Sequence, residues 1–248
     1  MFVSILSATI ILGQAPPNYP PLVIDAPPAL ASVASQVQKE YSKVSPALWK
    51  VMDRKPNSSK TITLKLVSGH SGLTFRNGTW SLGAKYGGFP TKRYGVAEQL
   101  CEATIKASEI NLDEPVWGNG LMKFLCIDAC RRSGYPLEGL QDIRAHYKAA
   151  LKYDSKFLHS NLASTTGISP VLREGKGIFL LEQLTVRYPP DYVIHYIRAK
   201  RRLIPAGAPY SPDDLAAVVS YTAGSDQFNW FKRHSIDVKL ARTKVPIR

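Results

Sequence analysis

Glu98 and Glu102 stand four residues apart in the stretch YGVAEQLCEATIK, Tyr94 to Lys106. In a helix this spacing stacks the two carboxylates on one face, one turn apart. Like charges so placed cost about 0.2–0.5 kcal/mol unless something positive lies between them. Three arrangements relieve them. In the first, a basic neighbour such as Lys92, Arg93 or Lys106 forms an ion pair, or water solvates both acids. In the second, the acids hydrogen-bond Asn119 and nearby side chains inside a buried pocket, and one is raised in pKa because adjacent carboxylates do not both ionise in a low dielectric. In the third, together with the Asn119 amide, they offer oxygens to a hard cation such as calcium or manganese.

Other chemistry-bearing residues are sparse. The five histidines, His70, His146, His159, His195 and His234, are isolated, and no two share a helix turn. Three cysteines, Cys101, Cys126 and Cys130, are an odd number, so at least one lies outside any intrachain bridge. A bridge from Cys101 to the segment carrying Cys126 and Cys130 is open in an oxidising compartment. No histidine spacing completes a zinc site with them. There is no serine nucleophile elbow, and the glycines of GISPVLREGKG do not follow phosphate-loop or dinucleotide spacing. Asp113 and Glu114 precede Pro115-Val116-Trp117, after which GNGLMKFLCIDA opens a helix.

The elements that hold the acid pair follow from periodicity. Residues 16–28 are proline-rich and read as extended. Ala29 to Val44 places Leu30, Val33, Val37, Tyr41 and Val44 at helical spacing. TITLKLV, Thr61 to Val67, alternates as a strand, and GLTFRNGTWSLGAKY carries two alternating runs around Asn77-Gly78, the preferred two-residue hairpin turn. From Lys92 onward the pattern turns helical. The expected helices are Lys92–Ser108, Val116–Arg132, Leu140–Tyr153, Lys176–Arg187, Asp191–Arg202, Asp213–Thr222 capped by Ser211, and Asp226–His234. Strands first and helices later give an α+β fold: a small N-terminal antiparallel sheet with a hairpin, then a mostly helical C-terminal part. No repeat or long linker interrupts residues 29–248, which read as one domain.

The formal net charge is +13, from 32 Lys+Arg against 19 Asp+Glu, and it favours anionic partners. The cations are scattered, the densest run being IRAKRR, Ile197 to Arg202, with no nucleic-acid recognition motif beside it. Residues 1–15, MFVSILSATIILGQA, are apolar and uncharged and end in the small-x-small Gly13-Gln14-Ala15. They are too short to span a bilayer and read as an export signal, with a buried first strand as the alternative.

From about Leu22 to about His234 the order of elements resembles the basic secretory proteins, a metallopeptidase-like family related to the gluzincin zinc peptidases. LVIDAPP followed by a helix, then TITLKLVSGHSGLTFRNGTWSLGAKY, is similar to the family's strand-and-hairpin region ahead of its metal helix. GVAEQLCEAT stands where such a protein carries HExxH, and PVWGNGLMKFLCIDACRRSG where the family reads roughly W-x-x-E-G and a helix. The helical tail, through YSPDDLAAVVSYTAGSDQFNWFKRH, is similar too. The resemblance implies a zincin-like fold and an extracytoplasmic life.

The departure falls on the chemistry. In the family's helix two histidines one turn apart bind zinc and the glutamate between them is the general base. Matched residue by residue, Glu98 and Glu102 take the histidine positions, Gln99 the base and Asn119 the third ligand. An amide accepts no proton at neutral pH, so the base is lost. The expectation is therefore a pseudoenzyme, secreted or periplasmic, that binds an anionic polysaccharide or a peptide at the cell surface. No cofactor is expected beyond the hard cation already named. Two rivals stand beside it: a metal-dependent hydrolase centred on oxygen ligands at Glu98, Glu102 and Asn119, and a basic nucleic-acid-binding protein.

Overall fold

A computed structural model describes residues 9–10, 18–58, 60–68, 72–76, 79–84, 93–110, 112, 114–164, 167–240, 243 and 245–246. The expected export signal apart from Thr9-Ile10, the Asn77-Gly78 turn, and His70, Lys92 and Asp113 lie outside the described residues. The chain divides into two compact units. The first comprises Met1–Trp49, Arg54–Asn111 and Asp128–Glu138, and the second Lys50–Asp53, Leu112–Ile127 and Gly139–Arg248.

The first unit is a mixed sheet with helices on its apolar face. Its strands are β1 (Thr9–Ile10), β2 (Leu22–Asp25), β3 (Ile62–Ser68), β4 (Gly72–Arg76) and β5 (Thr79–Ala84). They lie in the order β1-β2-β3-β5-β4. β2, β3 and β5 run parallel, and each edge strand, β1 and β4, runs antiparallel to its neighbour. This corrects the expected antiparallel sheet. Its centre is parallel, because α1 (Ala31–Val51) intervenes between β2 and β3. A helical crossover returns the chain in the same direction, which a tight turn does not do. The β4–β5 hairpin pairs antiparallel, Arg76 opposite Thr79, but it enters with β5 beside β3, leaving β4 at the edge.

Ile62, Leu64 and Leu66 are buried while Thr63 and Lys65 are exposed. The buried face packs with Leu30 on the turn before α1, with Val33, Val37 and Tyr41 of α1, and with Val96, Leu100 and Ala103 of α2 (Arg93–Ala107). The sheet core thus fixes which face of α2 turns inward.

Helices dominate the rest: α3 (Asn119–Arg132), α4 (Pro136–Tyr153), α5 (Pro170–Arg187), α6 (Tyr192–Leu203), α7 (Pro212–Ala223) and α8 (Phe228–Arg233). α7 begins on a capping box, Ser211 with Asp214, and ends on Gly224 at φ +66°. In the second unit Trp117 is fully buried, its ring centroid 6.5 Å from Tyr196 and 5.8 Å from Phe231. α5 passes the same backbone closely. A Cβ on Gly177 would lie 2.9 Å from the Trp117 carbonyl oxygen, and one on Gly120 would lie 3.3 Å from Gly177 Cα. Two glycines therefore set the approach of α3 to α5. Among the described residues no helix is long and apolar enough to cross a membrane.

Candidate functional site

α2 presents the acid pair to two environments. Glu98 belongs to the buried set of the first unit, at 8% exposure. One turn on, Glu102 is half-buried and accepts a hydrogen bond from Lys106 Nζ at 2.5 Å. Lys106 Nζ also lies 5.6 Å from the centroid of the Trp80 ring, so strand β5 helps to hold it. Of the basic neighbours expected to relieve the pair, Lys106 does so for Glu102. Arg93 instead lies 4.0 Å from Glu40, on α1. Gln99 Oε1 is buried with no hydrogen-bond partner among the described residues.

Asn119 opens α3 in the second unit and donates through Nδ2 to Glu174 Oε2 at 3.2 Å. Glu174 Oε1 lies 3.1 Å from His146 Nδ1, and His146 Nε2 lies 3.7 Å from Asp142. The hydrogen bond with His146 holds the Glu174 carboxyl below the usual carboxylate range. The amide of Asn119 is thus one member of a polar chain across α3, α4 and α5. His146 reads as isolated in sequence, and its partner on α5 comes from the fold.

The zinc implied by the family resemblance does not fit these residues. Tight zinc sites use imidazole or thiolate donors, whereas the four matched positions carry two carboxylates and two amides. One of those carboxylates is already held by an ammonium. Among the described residues no group of three or more His, Cys, Asp and Glu is arranged to hold a metal ion. Cys101, Cys126 and Cys130 are all buried, and none is in a disulfide, so the bridge from Cys101 is absent.

Three further polar constructions are built into the cores. In the first unit Tyr135 donates to Glu40 Oε2 at 2.5 Å, with Lys43 Nζ 3.8 Å above the Tyr135 ring. Burial, then Glu40, pushes the Tyr135 phenol up. In the second unit Glu114, on the turn before α3, accepts from Tyr196 and, at 2.7 Å, from Lys200. Tyr210 lies 2.9 Å from the Tyr196 hydroxyl, and burial with the Glu114 charge keeps both phenols protonated.

The third is Lys176 on α5. It is fully buried, and its Nζ donates to the carbonyls of Leu158 and Ser160 at 2.6 Å and of His234 at 2.5 Å. Three backbone acceptors satisfy all three N–H bonds of the ammonium. Burial pushes the lysine down to about 8. These bonds join the 157–160 turn to the end of α8.

The cations of the IRAKRR run are committed inside the second unit. Arg198 and Arg201 both bind Asp53, Lys200 binds Glu114, and Arg202 binds the Tyr221 hydroxyl. Arg198, with Arg201, holds the Asp53 carboxyl below its ordinary range. A polar cleft of about 490 Å³ is lined by Asn161, Ser164, Ser211, Asp213, Asp237 and Lys239. Its side chains cap backbone: Asn161 Oδ1 accepts from the amide of Asp237 at 2.9 Å, and Asp213 accepts from the amide of Lys239. A scan against protein-family models finds no match to this chain, and a search of curated proteins finds none either.

Proposed function

We propose that this chain is a non-catalytic, metallopeptidase-like protein of the extracytoplasmic space whose activity is to bind an anionic partner. The observation that carries the reading is the Lys106–Glu102 ion pair, 2.5 Å long, with Gln99 on the preceding turn. A zinc peptidase needs neutral imidazoles and an unencumbered carboxylate at these positions. This helix has a neutralised carboxylate and an amide, which support a structural role for α2. The net charge of +13 supports the nature of the partner.

The experiment is equilibrium binding of the purified protein to a polyuronate, to single-stranded DNA and to a neutral dextran, each across a salt series. The reading expects polyuronate binding that weakens steeply with salt, and no binding to dextran. Binding to dextran alone, or to none of the three, would remove the anionic partner from the account.

A further inference from the structure

We infer that the outer face of α4 is the surface on which the anionic partner lies, and that the partner is a linear anionic polysaccharide. The inference rests on the reading of an anionic partner given above. Arg144, Lys148 and Lys152 are spaced four and four along α4, and all three are exposed. Four residues of α-helix rise about 6 Å, so the cations form a row about 12 Å long. No carboxylate pairs with any of the three among the described residues. The acids close by are engaged elsewhere: Asp142 faces His146 at 3.7 Å, and Asp154 accepts from the Lys156 amide at 2.8 Å.

The contrast with α6 is what selects this face. The densest basic run in the sequence is taken up by Asp53, Glu114 and Tyr221. The sparser row on α4 is left to solvent, where a chain carrying regularly spaced negative charges complements it and displaces its counterions.

The surroundings of the row choose between polymers. Ala145 and Ala149, both exposed, lie beside the cations on the same helix. Small side chains there let a sugar ring approach the helix surface. Sites for single-stranded nucleic acid instead interleave cations with aromatic platforms. Within the row Tyr147 packs inward 5.2 Å from Phe157, and the one exposed aromatic of α4 among the described residues, Tyr153, stands at the end of the row rather than between its cations.

The test uses the full chain with polygalacturonate. The variant Arg144→Gln, Lys148→Gln, Lys152→Gln keeps good helix formers at exposed positions. A control of equal charge, Lys39→Gln, Lys50→Gln, Lys55→Gln, removes three exposed lysines elsewhere. The expected result is a loss of affinity of about tenfold or more in the α4 variant only, with a salt slope lower by about 2. Equal losses in both variants, or a loss in neither, while the parent binds, would overturn the α4 surface and leave the anionic partner standing. Tighter binding of single-stranded DNA than of polygalacturonate by the parent would overturn the polysaccharide. No binding by the parent to either polymer would defeat both readings together.

Discussion

Lys106 Nζ sits 2.5 Å from Glu102 Oε1, on the helix turn that follows Gln99. This i,i+4 contact answers the electrostatic difficulty of two glutamates on one face. One acid is drawn toward the core of the first unit, and the other is neutralised from its own helix. Lys106 is about half exposed, so the pair behaves as an ordinary surface salt bridge. Lys106→Met is expected to cost no more than about 0.5 kcal/mol in a urea melt, and less at high salt. A cost several times larger would mean that Glu102 is more than a solvated helix acid.

Lys176 gives a larger effect with a definite dependence on pH. Lys176→Met leaves the carbonyls of Leu158, Ser160 and His234 without their buried donor. Each orphaned acceptor costs about 1–3 kcal/mol, so the variant is expected to lose at least about 3 kcal/mol. In the parent the folded lysine titrates near 8 and the unfolded one near its ordinary 10.5. Between those values the unfolded chain binds more protons, so this group's contribution to stability rises with pH across that window. Chemical denaturation at pH 7.5, 9 and 10 should show that rise in the parent and not in Lys176→Met. A parent whose difference from the variant shrinks with pH would contradict the assignment.

Gly177 separates packing from propensity. An exposed helical Gly→Ala change stabilises by about 1 kcal/mol on propensity alone. Here the new Cβ would meet the Trp117 carbonyl oxygen at 2.9 Å. Gly177→Ala is therefore expected to destabilise by about 1–3 kcal/mol, as overpacking does. A stabilised variant in thermal melts would show that α3 and α5 do not approach as described.

Asp53 links stability to binding. It sits at φ +49°, a conformation that asparagine tolerates, and it holds Arg198 and Arg201. Its folded carboxyl lies below the unfolded value, so its contribution is present above pH 4 and is lost as pH falls through the folded value. Asp53→Asn should flatten the acid limb of the stability curve. It should also release two arginines and strengthen polyanion binding with a steeper salt slope. A variant with unchanged binding would show that the two arginines lie away from any polymer path.

Local pattern reveals much of this fold. The helix expected over Lys92–Ser108 is found at Arg93–Ala107, and Ser211 caps α7 as its type and place suggest. Helical spacing and capping chemistry are local, so they show in the chain itself. The parallel centre of the sheet does not show. β2 is hidden in the proline-rich 16–28 segment, and Ile62, Leu64 and Leu66 alternate as in an antiparallel strand because only one face of β3 is covered.

The site residues divide in the same way. The Glu98–Glu102 spacing and the candidate Lys106 were legible. Which acid goes inside was not, since the sheet core decides it. IRAKRR drew attention as a basic run, yet Asp53 pairs with Arg198 across 145 residues and Glu114 with Tyr196 across 82. Long-range partners of this kind leave no mark on local composition, so a free row such as Arg144, Lys148 and Lys152 is recognised only after the paired cations have been removed.

The most direct test of the proposal that this chain lacks peptidase chemistry is metal content measured beside hydrolysis. The purified parent is incubated with zinc, freed of excess by gel filtration and analysed for bound metal, and a general protein substrate is followed against a chelator-treated control. The account predicts zinc well below one ion per chain and hydrolysis no faster than the control, because α2 offers carboxylates and an amide where imidazoles and a base are needed. One zinc per chain together with chelator-sensitive hydrolysis would contradict it.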